Sequence, residues 1–166
     1  MNYAQIRKLD VTNGPDIRTT LFVSGCTHNC EGCFNKDQQN FSYGNEFTKE
    51  KEDEFISYTL NPHVKGVNIL GGEPMQQIKD GTLLNLLRRI KKETNKPIWL
   101  WSGYTFEEII NNPKRLELLN EVDVLIDGKF QIANRNIMLK YRGSSNQRVI
   151  DIKKSTKEKI VLYEGA

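Results

Sequence analysis

Cys26, Cys30 and Cys33 are the only cysteines of the 166 residues, all within Ser24-Gly25-Cys26-Thr27-His28-Asn29-Cys30-Glu31-Gly32-Cys33-Phe34-Asn35. Iron–sulfur clusters are held by cysteine thiolates, and a four-iron cube usually takes four. Three thiolates would leave one iron without a protein ligand. An under-ligated metal is an open position for a substrate, by the logic that separates catalytic from structural zinc sites. Rival uses of the thiols fit less well. A disulfide set belongs to an oxidising compartment, yet no signal peptide is evident and an odd count leaves one thiol unpaired. Zinc would need His28 as its fourth ligand, but His28 lies inside the same loop, whereas structural zinc sites usually draw on two separated pairs.

Four other segments carry reactive or recognition-competent groups. Gly71-Gly72-Glu73-Pro74 lets backbone approach a ligand closely, because neither glycine has a Cβ. Taken alone it is equally a strand-ending turn, and it does not match a dinucleotide-binding Gly-x-Gly-x-x-Gly. Ser102 precedes Gly103-Tyr104. Asp127 and Lys129 flank Gly128, as site residues or as a solvated turn. Arg142–Arg148 holds two guanidiniums and several amides, which could grip a phosphate, a carboxylate or a partner's backbone. Arg18 is either a site residue or a surface charge. Trp99 and Trp101 alternate with Ile98 and Leu100, which reads as packing on one face of a strand.

Those groups need a scaffold. Apolar, β-branched or aromatic runs at Thr20–Ser24, Val67–Leu70, Ile98–Trp101 and Val122–Ile126 read as buried strands. Amphipathic segments lie between them. Thr48 caps a helix running to about Leu60, with Phe55, Ile56 and Leu60 facing inward. Leu83, Leu87 and Ile90 recur at helical spacing. Thr105 and Glu108 form a capping-box pattern that Pro113 interrupts. Asn13–Arg18 is a turn, Met138–Tyr141 a possible further strand, Val149–Ile152 an edge strand and Lys153–Lys159 a solvated tail. Alternating strands and helices imply an α/β fold with a mostly parallel sheet and right-handed crossovers. The units are too few for a closed eight-stranded barrel, so a single-domain, partial (open) β/α barrel is expected. Ligands of open α/β sheets bind beyond the carboxyl ends of the strands. The cysteine loop, Gly71–Pro74, Ser102–Tyr104 and Asp127–Phe130 follow the four strands in turn and so fall at such ends.

Composition narrows the class. The chain is 37% hydrophobic and 27% charged, which is globular. Its formal net charge of +3 is too mild to argue for nucleic acid. No apolar run approaches the ~20 residues of a membrane span. Free thiols point to a reducing cytoplasm. The length fits one domain over residues 1–166, with a core of about residues 1–152 and a short basic tail.

The spacing Cys-x3-Cys-x2-Cys followed by Phe34 and Asn35 resembles the radical S-adenosylmethionine enzymes. The resemblance implies that Cys26, Cys30 and Cys33 hold a 4Fe–4S cluster whose fourth iron is chelated by the amino and carboxylate groups of S-adenosylmethionine. Gly32, Cys33, Phe34 and Asn35 then lie against that cofactor. Gly-Gly-Glu-Pro resembles the superfamily's second motif, whose backbone pairs with the cofactor's α-amino group; Gly72 and Glu73 match it. A strand-end Asp-x-Lys contacts the cofactor's carboxylate and ribose region in related activating enzymes, which implicates Asp127 and Lys129, with Ser102 as a further candidate.

The likeness is also wide. Asn-Gly-Pro, Thr-Leu-Phe-Val-Ser-Gly-Cys, Gly-Cys-Phe-Asn, Gly-Gly-Glu-Pro, Leu-Trp-Ser-Gly-Tyr, Ile-Asp-Gly-Lys-Phe and Arg-Gly-Ser-Ser-Asn-Gln-Arg occur in the order seen in the anaerobic ribonucleoside-triphosphate reductase activating family. The match runs from Met1 to about Ile152. One departure is Asp16, where that family more often has glycine. What the resemblance implies is a glycyl-radical-activating oxidoreductase. Flavodoxin or ferredoxin would reduce the cluster, the sulfonium's S–C5′ bond would be cleaved, and the resulting 5′-deoxyadenosyl radical would take a hydrogen from a backbone glycine of the large reductase subunit. Arg18, Arg142, Asn146 and Arg148 are the candidate contacts to substrate or partner, and no catalytic acid or base is expected. Two alternatives remain open at this point: a compact radical enzyme acting on a small molecule, and a non-enzymatic zinc module.

Overall fold

A computed structural model describes all 166 residues. In chain order the elements are β1 (Asn2–Asp10), β2 (Arg18–Val23), β3 (Asn45–Glu46), α1 (Lys49–Thr59), β4 (Gly66–Gly71), α2 (Thr82–Thr94), β5 (Ile98–Trp101), α3 (Phe106–Ile110), α4 (Pro113–Leu119), β6 (Val124–Asp127) and β7 (Arg148–Asp151). One seven-stranded sheet runs β3-β1-β2-β4-β5-β6-β7 and does not close. Its centre, β2-β4-β5-β6, is parallel, as expected from the strand–helix alternation. The outer pairings of β1, β3 and β7 are antiparallel.

The four expected strands are present, one of them with the expected bounds. The expected edge strand near Val149 is β7. β1 has no counterpart in the sequence reading. Its Asn-Tyr-Ala-Gln-Ile-Arg-Lys-Leu-Asp presents no fully apolar face, and backbone pairing to β2 holds it in place. Met138–Tyr141 is not a strand: the segment turns, and Tyr141 sits at φ +68. Ile137 and Met138 face solvent, so burial gives no drive to extend them.

Local chemistry sets the helix ends. Thr48 accepts from the Lys51 amide at 3.2 Å and starts α1. Thr105 and Glu108 bond reciprocally and start α3. Pro113 occupies the first turn of α4, where its missing N–H costs nothing, and Asn112 caps that helix. Phe55 and Ile56 are buried as expected, whereas Leu60, at the end of α1, is exposed. Asp16 adopts φ +62, a left-handed conformation that glycine takes without strain.

Side chains alternate across each strand, so the sheet has two distinct faces. One packs Leu21, Val23, Ile69 and Leu100 against Leu83, Leu86, Leu87 and Ile90 of α2. The other carries a separate cluster of Trp99, Val124, Ile126 and Val149, joined by Trp101, Tyr141 and Tyr163, to which no helix contributes. Helices therefore cover one face only.

Arg18 requires correction as a partner contact. It opens β2, at the opposite end from the cysteines, and only 2% of it is exposed. Its guanidinium donates to Asn68 Oδ1 at 2.7 Å and to the carbonyls of Val67 and Pro97, and it lies 5.1 Å from the Trp99 ring. Burial lowers its pKa to about 10. Carbonyl dipoles and an indole face make this cation a structural element.

Candidate functional site

The cysteine segment leaves β2 and folds back on itself. Gly25 and Cys26 donate their amides to the carbonyls of Gln38 and Gln39 at 2.7 and 3.0 Å, and Cys33 donates to the Cys30 carbonyl at 3.2 Å. The turn after β4 packs directly underneath: Gly72 donates to Val23 and Glu73 to Gly25, each at 2.8 Å. A Cβ at Gly72 would lie 2.6 Å from the Gly25 carbonyl oxygen and 2.7 Å from that of Gln38, so no side chain fits between the two loops. All three thiols are free and partly buried. Burial pushes Cys26 up to about 11 and also raises Cys30, which has Cys33 beside it while Lys129 and the Phe130 backbone act in the opposite sense. Metal binding to such thiols displaces protons.

Glu73 ties the rim together. Its carboxylate, 1% exposed, accepts from the Met75 amide at 2.8 Å, Ser102 Oγ at 2.7 Å and the Gly103 amide at 2.6 Å. It also meets His28 Nε2 at 2.8 Å. His28, from the cysteine loop, stands edge-on to Tyr104. One side chain thus joins the loops after β2, β4 and β5. It also occupies the imidazole that a zinc site would need, and no three His, Cys, Asp or Glu side chains converge as ligands of a single ion. Gln76 exchanges two hydrogen bonds with Thr27, and Gln77 donates to the carbonyls of Ser24 and Gly25.

These loops enclose a cavity of about 520 Å³ that opens onto the helix-free face of the sheet. Cys26, Cys30 and Cys33 line it together with Phe34, Asn35, Gly72, Glu73, Ser102 and Arg142. Phe22, Leu70 and Trp101 form an apolar wall, and Arg7 and Arg142 are its two cations. The volume lies within the range of small-ligand sites. Three unpaired thiols with no fourth, beside a Gly72 carbonyl that accepts no backbone hydrogen bond, fit a three-thiolate cluster and an amine-bearing ligand.

The remaining expected residues are arranged differently. Gly32 turns the cysteine loop at φ +73 and abuts Ile132. Asp127, Lys129, Asn146 and Arg148 line an adjoining polar cavity of about 490 Å³, not the cysteine cavity. The Asp127 carboxylate is buried and accepts from the Phe106 amide at 2.7 Å and Arg148 Nη2 at 2.6 Å. Arg148 also pairs with Glu107 at 2.7 Å. As placed, both charges hold α3 to β6 and β7. Asn146 donates to the Lys129 carbonyl. Arg142 donates to the Gln147 carbonyl, leaving its buried Nε without a partner.

Sequence reasoning missed Gln76, Gln77, Arg7 and the apolar wall. Two adjacent amides one residue after Gly-Gly-Glu-Pro were a usable signal for the first two. Phe22, Leu70 and Trp101 gave none, because apolar runs buried on both faces do not disclose which face a helix leaves bare.

A family described as "4Fe-4S single cluster domain" matches residues 12–150. Curated relatives named "Anaerobic ribonucleoside-triphosphate reductase-activating protein" are similar over nearly the whole chain. The relative from Vibrio cholerae is 43% identical, covering 89% of this chain and 96% of its own. That of Escherichia coli (strain K12) is 40% identical, covering 90% and 97%. That of Enterobacteria phage T4 is 41% identical, covering 90% and 93%.

Proposed function

From a chain that belongs to the family of anaerobic ribonucleoside-triphosphate reductase-activating proteins, we propose a radical S-adenosylmethionine activase that places a glycyl radical on the large subunit of an anaerobic ribonucleotide reductase. The observation that carries this reading is the set of three free thiols on one cavity wall with no fourth thiol in the chain. Cys26, Cys30 and Cys33 would ligate three irons of a 4Fe–4S cluster. When bound, the reduced cluster and S-adenosylmethionine supply electron transfer to the sulfonium, S–C5′ cleavage, and the adenosyl radical that takes a glycine hydrogen.

The chain's own residues bind, orient and shield. The Gly72 carbonyl is free to accept from an α-amino group, and Asn35, Ser102 and Arg142 present polar groups to the same cavity. Phe22, Leu70 and Trp101 give it an apolar wall against which a bound cofactor loses contact with water. Glu73 and His28 fix the loops and touch no reacting atom in this reading. Lys129, from the adjoining cavity, bears a charge that favours the Cys30 thiolate, and we keep it as the candidate for the cofactor's carboxylate. We read residues 1–166 as one radical domain and the unclosed sheet as a partial β/α barrel. Its helix-free face leaves room for a polypeptide loop, where a small metabolite would call for a closed pocket. Flavodoxin or ferredoxin, in the cytoplasm, is the proposed reductant.

Anaerobic reconstitution should give about four irons per chain. Cys30→Ala should abolish reductive cleavage of S-adenosylmethionine, and mixing the reconstituted chain with the reductase subunit should produce a glycyl radical signal by electron paramagnetic resonance. Unimpaired cleavage by the alanine variant refutes the ligand assignment. Cleavage without a glycyl radical favours a small-molecule substrate.

A further inference from the structure

The segment joining β6 to β7 is unlike the rest of the surface. Residues 128–150 contain Lys129, Arg135, Lys140, Arg142 and Arg148 and no aspartate or glutamate. Among these cations only Arg148 forms an ion pair. At the tip of the segment Ile137 and Met138 are 83% and 84% exposed, the largest values among the big apolar side chains. Two adjacent apolar side chains held in water offer a partner an apolar contact.

The tip is built, not loose. The Asn136 side chain accepts from the Met138 amide at 2.9 Å, and the Asn136 amide donates to the Gly143 carbonyl at 3.1 Å. At the base, the Tyr141 carbonyl accepts from Trp101 Nε1 at 2.7 Å, and the Tyr141 ring stands edge-on to Trp99. Those anchors maintain the left-handed backbone of Tyr141, whose strain needs such support. The next residue after the tip, Leu139, lines the cysteine cavity. Arg135 lies 5.9 Å from the ring of Phe34, which packs on Phe130 at the same mouth. The knob therefore stands beside the mouth of the cysteine cavity.

We propose that the turn Asn136–Lys140 is the docking knob for the glycine-bearing reductase subunit, with Ile137 and Met138 entering an apolar notch on that subunit and Arg135 and Lys140 meeting carboxylates around it. The proposal rests on the activase reading above. The place of the turn beside the cysteine cavity selects the subunit that must present a glycine there, and its unpaired cations call for acidic groups on that partner. A small substrate cannot cover side chains that point away from the cavity.

The test uses the reconstituted chain carrying Ile137→Asp and Met138→Asp. Cleavage of S-adenosylmethionine driven by dithionite alone should be unchanged, because neither residue lines the cavity. Affinity for the reductase subunit should fall by about tenfold or more, as for central interface residues. Lys140→Glu should weaken binding and flatten its salt dependence. Equal affinity of the double variant and the unaltered chain overturns the knob. So does unchanged affinity accompanied by slower electron delivery from flavodoxin, since the surface would then serve the reductant. Should the double variant lose dithionite-driven cleavage as well, Lys140→Glu decides, and unchanged affinity and salt dependence in it overturn the knob. An unaltered chain that neither binds nor activates the subunit sinks the activase reading itself, which separates the two failures.

Discussion

Glu73 illustrates how a residue's type and its task can diverge. A carboxylate beside a cluster loop invites a catalytic role, yet all its capacity is taken by Met75, Ser102, Gly103 and His28. Removing it would leave several buried donors without an acceptor, each costing about 1–3 kcal/mol. Glu73→Ala should therefore destabilise the iron-free chain by about 3 kcal/mol or more in denaturant unfolding, and Glu73→Gln by clearly less. Equal stability of the alanine variant would show that the rim does not depend on this hub. Arg18, Asp127 and Arg148 teach the same lesson. Their charges were visible in the sequence, but the partners that neutralise or cradle them come from distant segments: Val67, Asn68 and Pro97 for Arg18, Glu107 and Phe106 for the others. The grouping of the cysteines was legible because it is local in the sequence, and all three do line one cavity.

At the scale of elements, the site is a set of strand ends. The loops after β2, β4 and β5 meet because parallel neighbours deliver their carboxyl ends to the same rim. Contact between the first two loops is so close that Gly72 cannot gain a side chain without moving backbone. Gly72→Ala should leave helix and strand content intact by circular dichroism but lower iron incorporation severalfold, since the cysteine loop must shift. Full incorporation by that variant would mean the loop tolerates displacement. Caps were readable in advance, because Thr48 and Thr105 act on their own helices. β1 was not, because its stability comes from pairing with β2 and β3 and its sequence alternates only weakly. The possible strand over Met138–Tyr141 does not form for the converse reason: an apolar run implies burial only when something lies opposite it.

Across the whole molecule, one face of the sheet bears the helices and the stability, and the other bears the cavity. Leu86 is fully buried between α2 and the sheet. Leu86→Ala should cost about 2–5 kcal/mol, or about 10 °C in Tm, without altering cofactor cleavage at low temperature. A loss of cleavage in the still-folded variant would mean that the helical layer also shapes the site. No helix is long and apolar enough to cross a membrane. The alternation of the four parallel strands with helices, the cysteine loop and the polar strand ends followed from local spacing and periodicity, which neighbouring residues determine by themselves. Which face stays bare, which charges are neutralised and which loop stands clear of the core depend on segments tens of residues apart. Only their packing in three dimensions could decide them.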